Sequence, residues 1–147
     1  VCFNLILHHL VGRSESATRQ LQCQALRAWH GHAQGIFVDE YIYDSYVGNF
    51  SGRLIYEITS SKLLSWIAGK ISKVVPSLRA NTFGVGVRFR SRAEWVTLFE
   101  SQGYIVKGWA RGAEENVSIP RRLLLISSCR RDSFLLHAKT ETTAMPV

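Results

Sequence analysis

The residues Gly35-Ile36-Phe37-Val38 form a continuous apolar run that stops at Asp39-Glu40. Such a run suits a strand buried on both faces, as in a parallel sheet. Helical patterns lie on either side of it. From Ser14 to His30, Ala17, Leu21, Ala25, Ala28 and Trp29 recur near helical spacing, and Gly31 stands in the stop position. From Ser51 to Val75, Leu54, Ile58, Leu63, Ile67, Ile71 and Val74 recur at steps of three and four until Pro76 ends the pattern. A break near Thr59-Ser60-Ser61 divides this stretch into two helices, and its lysines, Lys62, Lys70 and Lys73, read as the snorkelling residues of a surface helix rather than as a membrane-surface anchor.

The second half continues the alternation. Val87 and Phe89 alternate with Arg88 and Arg90, as across the two faces of a strand. Ser91 and Glu94 have the spacing of a capping box, ahead of a buried stripe of Trp95, Leu98 and Phe99 that Gly103 closes. YIVKGW then reads as a strand, and RLLLIS and SFLLHA flank CRRD in the manner of a hairpin. The expectation is an α/β protein: one domain over residues 1–140, finishing on antiparallel strands, with residues 141–147 a frayed tail.

The 147 residues suffice for one core, and 46% of them are apolar. No run of eighteen apolar residues and no basic, small-residue leader is present, so neither a membrane span nor a secretory signal is read. Cys2, Cys23 and Cys129 fit neither a disulfide framework nor a CxxC site, which points to a reducing, cytoplasmic setting and to no metal. A net charge of +7 favours polyanionic or acidic partners. The single methionine is Met145, and the chain begins at Val1. Either translation starts at an alternative codon, or the chain is the rear part of a longer design.

In open α/β sheets, ligands bind beyond the carboxyl ends of the strands. Two such ends are visible. The first carries Phe3-Asn4 followed by His8-His9, and the second carries Asp39-Glu40-Tyr41. Asn can donate and accept, and a carboxylate can fix an amine or take a proton. The plainer reading makes Asn4 and Asp39 caps and packs one histidine against the sheet.

The segment FNLILHHL resembles the end of the fourth strand in class I S-adenosylmethionine-dependent methyltransferases, where an apolar strand ends in a polar residue and runs into a Leu-His-His-Leu-like turn. On that resemblance Ser14 to His30 is the helix after the fourth strand, and GIFV is the fifth strand. EWVTLFESQGY is similar to the junction leading into the sixth strand, and SFLLHA to the antiparallel seventh. The implied fold is the C-terminal half of a Rossmann-like methyltransferase sheet. The implied function is methyl transfer from S-adenosylmethionine to an unidentified acceptor.

The resemblance implies a role for each candidate. Phe3 and Asn4 would lie near the reactive end of the cofactor. His8, His9, Asp39 and Glu40 would be candidates to take a proton from the acceptor, since the sulfonium is already an activated donor. Residues 41–90 would form a substrate-side insertion in which Tyr41, Tyr43, Tyr46 and Asn81 line a pocket. Arg88 and Arg90 could hold an anionic group of the acceptor if they share a strand face, although a solvated face is the plainer expectation.

The family's glycine-rich turn and its acidic second-strand residue have no counterpart. Phe83-Gly84-Val85-Gly86-Val87 follows no strand and opens no helix, so it reads as a turn. Alone, the chain should bind the cofactor poorly and leave a free sheet edge and an uncovered apolar face. Two other readings remain: a small basic module that binds nucleic acid or an acidic partner, and a non-catalytic remnant that assembles with another chain or with a second copy.

Overall fold

The computed structural model describes residues 1–139; the expected frayed tail, 141–147, lies outside the described residues. Strand β1 (Cys2–Asn4) leads through a single 3-10 turn at Leu7–His9 to helix α1 (Glu15–Arg27) and strand β2 (Ile36–Ser45). Helices α2 (Phe50–Ser60) and α3 (Lys62–Val74) follow, then a 3-10 turn at Pro76–Leu78 and helix α4 (Arg92–Ser101). The chain then forms β3 (Tyr104–Ala110), the two-residue β4 (Glu114–Glu115), the short α5 (Ile119–Arg122) and β5 (Ile126–Ala138).

The result is an open, mixed five-stranded sheet in the order β1-β2-β5-β3, with β4 also on β5. β1 and β2 are parallel, with Asn4 opposite Asp39. β5 runs antiparallel to β2 on one side and to β3 on the other. Among the described residues, β1 has a hydrogen-bonded neighbour on one side only.

Two helix starts form as their sequences dictate. Ser14 accepts from the Ala17 amide at 3.1 Å, and Ser91 and Glu94 complete a reciprocal capping box. The main core lies on one face of the sheet, and a smaller cluster of Val117, Ile126 and Cys129 packs with Tyr41, Tyr43, Leu124 and Ile55 of α2. Ile36, Val38 and Ile42 point into the main core from β2 and meet Leu7, Leu26, Trp95, Leu98, Phe99, Phe134 and Leu136. On the opposite face Phe37 and its cross-strand partner Leu135 are each 42% exposed. The GIFV strand is thus covered on one face only, a correction to the double burial expected from its apolar run.

Other expectations are corrected as well. β2 does not stop at Asp39-Glu40 but runs six residues past Asp39, to Ser45, because each polar residue finds a cross-strand partner on β5. CRRD is no hairpin turn: Cys129 to Asp132 are mid-strand and pair with Tyr43 to Glu40. Their charges are matched in place, Arg130 by Asp44 and Asp132, and Arg131 by Asp39. In α1 the buried face is Thr18, Gln22 and Leu26, whereas Leu21 is exposed, as is Trp29 in the turn that follows the helix. The break between α2 and α3 falls at Ser61, which caps α3 by accepting from the Leu64 amide. Residues 46–89 leave the sheet after Ser45, and the chain returns where Arg90 bridges Ile42 in parallel.

Candidate functional site

The β1 strand ends at Asn4, and Leu5 turns the chain with a φ of 53°. A branched residue in the left-handed region is uncommon and costs of order 1 kcal/mol or more. The turn is held by the Leu5 amide donating to the Asp39 carbonyl at 2.8 Å. This bend delivers Leu7-His8-His9 across the sheet to Glu40. One Glu40 oxygen accepts from the Leu7 amide at 2.6 Å, and the other lies 2.5 Å from His8 Nδ1. Both His8 and Glu40 are buried. From α1, Gln22 Nε2 donates to the Leu7 carbonyl at 3.0 Å and fixes the turn from the other side.

These contacts separate the four candidate proton acceptors. Glu40 and His8 satisfy each other in the interior. Asp39, on the opposite sheet face, accepts from Arg131 Nε at 2.7 Å and from the Ser133 hydroxyl at 3.0 Å. His9 is exposed, and its ring centroid lies 4.2 Å from that of His8. Desolvation and the adjacent His8 hold its pKa below the ordinary 6.5, and Glu40 only partly offsets them. A neutral imidazole at the surface can accept a proton. Among the four, His9 alone is open to solvent.

Asn4 is no cap. Its side-chain oxygen accepts from Arg131 Nη2 at 2.8 Å, so Asn4, Asp39 and Arg131 form one cluster beyond the end of β1. Phe3 is partly buried against the core beside it. The sequence reading placed Arg131 in a turn and missed this role.

Arg88 and Arg90 require the plainest correction. They are neither a solvated face nor an open anion clamp; their exposures are 0% and 3%. Arg88 bonds Glu15 through Nε and Glu94 through Nη2, both at 2.8 Å. Arg90 donates to Glu15 at 3.1 Å and, through Nε, to the Gln22 side-chain oxygen Oε1 at 2.9 Å. Glu15, Thr18 and Gln22 are spaced at three and four residues along α1, so a polar stripe at helical period faces the arginines. That stripe was the signal for the buried face.

Burial raises the Glu15 pKa, but the Arg88 and Arg90 guanidinium groups outweigh it and leave the carboxyl below its ordinary 4.5. The sign of the linkage follows. At pH above the unfolded value the carboxylate is ionised in both states and its stabilisation is fully present; it is lost as pH falls through the depressed folded value. Urea unfolding from about pH 6 to about pH 3 should show stability falling, and Glu15→Gln should flatten that slope.

Of the tyrosines, Tyr43 lines a cavity of about 220 Å³ between the sheet and the 46–89 excursion, with Ile55, Ile58, Phe89 and Leu124. Asn81 also lines it, whereas Tyr41 and Tyr46 do not. Phe89 stacks on Tyr43 at 4.1 Å and on His8 at 5.0 Å, which joins the cavity wall to the histidine turn. Burial pushes the nearby Cys129 thiol up to about 11, so it is a packing group rather than a nucleophile.

Residues 81–85 are a turn, and a Cβ at Gly86 would meet the Ser60 hydroxyl at 2.7 Å, so this glycine permits loop packing rather than a ligand cradle. No group of three or more His, Cys, Asp or Glu side chains among the described residues is placed to hold a metal ion. No helix of the described residues is long and apolar enough to cross a membrane. In comparisons with known proteins, no family model matches the chain and no curated protein is similar to it.

Proposed function

We propose that this chain is the acceptor-side half of a class I methyltransferase domain, and that it serves methyl transfer from S-adenosylmethionine to an unidentified acceptor. The observation that carries the reading is the sheet: a parallel pair, β1 and β2, followed by an antiparallel β5 lodged between β2 and β3. In chain order, β1, β2, β3 and β5 would correspond to the fourth, fifth, sixth and antiparallel seventh strands of the resemblance. Two open surfaces support it further. Among the described residues β1 has one unpaired edge, and Phe37 and Leu135 leave an exposed apolar pair on the face opposite the main core. Cofactor-binding strands and their helices would cover both.

Within that reading, the chain supplies the wall on which the acceptor is aligned. The strained Leu5 bend and the Asn4–Arg131–Asp39 cluster shape the crevice beyond β1. His9 takes the acceptor's proton as the methyl group is transferred. The buried His8–Glu40 pair holds the turn that presents His9, so these two are positioning residues.

The test is transfer of an isotope-labelled methyl group by the protein extended with whatever the reading frame encodes upstream of Val1. Incorporation into a cell extract that requires the extension and falls in His9→Ala is the expected result. An upstream frame with no glycine-rich turn after a strand, together with no incorporation, would overturn the proposal.

A further inference from the structure

Helix α3 packs the wrong way round for a core helix. Its inner residues are Ser65 and Ser72, and Ser65 is tied to α2 by hydrogen bonds to the Ile58 and Thr59 carbonyls at 2.8 and 3.0 Å. Four residues of the expected apolar stripe face outward: Leu63 is 66% exposed and Val74 82%, with Ile67 and Ile71 also exposed, and Trp66 beside them is 63% exposed. This reverses the apolar stripe read from the sequence. A patch of this size on one helix requires a covering surface.

Its neighbourhood says which kind. The 3-10 turn at Pro76–Leu78 joins α3 to α5, where Arg121 Nε donates to the Ser77 carbonyl at 3.2 Å. There Ile119 and Leu123 are 78% and 79% exposed. Interspersed are Lys62, Lys70, Lys73, Arg79, Arg121 and Arg122, and Lys70 Nζ lies 5.5 Å over the Trp66 ring. No Asp or Glu occurs from residue 58 to 93 or from 116 to 131. A second copy docked on this face would set cation against cation.

We propose that α3, with the Ile119–Leu123 turn beside it, is an interfacial anchor for an anionic bilayer surface. Its apolar side chains enter the headgroup–acyl boundary, and the surrounding lysines and arginines meet lipid phosphates and carboxylates. Trp66 has the amphipathic ring that such an interface accommodates. The inference stands on α3 and α5 alone and is independent of the methyl-transfer reading.

The experiment is flotation of the full chain with vesicles of phosphatidylcholine alone and of phosphatidylcholine mixed with phosphatidylserine. Binding should be about tenfold or more stronger to the anionic vesicles and should weaken with added salt. Val74→Glu and Ile67→Glu replace exposed side chains, so circular dichroism should be unchanged while binding falls about tenfold or more. Three outcomes would overturn the proposal: no association of the folded protein with anionic vesicles, binding by both variants undiminished from that of the unsubstituted chain, or a dimer in sedimentation that Val74→Glu dissociates.

Discussion

Arg88→Met is expected to lower the free energy of unfolding by about 3 kcal/mol, measured by urea denaturation at neutral pH. The guanidinium is fully buried and spans two carboxylates, Glu15 on α1 and Glu94 at the start of α4. A methionine side chain approximates the volume but leaves both carboxylates short of a partner. Glu94 is only 14% exposed, so its charge is poorly solvated once the guanidinium is gone. Glu15 is 38% exposed and partly rescued by water, which puts the loss at the lower end for breaking a buried pair. Arg88→Lys should recover little, because one ammonium cannot span both acids in the geometry of a fork. A loss below about 0.5 kcal/mol would mean that the pairing contributes only what a surface ion pair does.

His9→Ala should lower the rate of methyl transfer by the extended protein about a hundredfold or more, the range for loss of a positioned general base. Stability should hardly change, because the ring is exposed and makes no hydrogen bond among the described residues. His8→Ala should differ in kind. It leaves the Glu40 carboxylate buried without its 2.5 Å partner, so stability and rate should fall together. If the rate is instead limited by His9, the acid limb of its pH profile should lie below the ordinary histidine value, as the desolvation of His9 and the adjacent His8 require. Equal rates for wild type and His9→Ala would remove the proton-acceptor role.

The alternation of elements was legible because it rests on local chemistry. Ser91 and Glu94 mark the start of α4, Pro76 terminates the run through α3, and Ser61 divides α2 from α3. What was not legible depends on partners distant in sequence. CRRD reads as a turn until Asp39 and Asp44, on a strand some ninety residues earlier, neutralise its arginines. Arg88 and Arg90 read as exposed because nothing local announces that Glu15 and Gln22 wait across the core. Helix α3 is the reverse case: its apolar period is real, yet the described residues bury its serines instead.

At the candidate site, the sequence brought His8, His9, Asp39 and Glu40 to one end of a parallel pair. It could not rank them, because alternation along β2 sends Asp39 and Glu40 to opposite faces and each then meets a different partner. Tyr43 and Asn81 share a cavity, whereas Tyr41 and Tyr46 fall outside it.

The most direct measurement is calorimetric titration of S-adenosylmethionine, and separately of its demethylated product, into the 147-residue protein and into the form extended upstream of Val1. The half-domain reading predicts no heat of binding from the folded 147-residue chain and micromolar binding of both ligands by the extended form. Micromolar binding by the 147-residue chain alone, or none by a folded extended form, would contradict it.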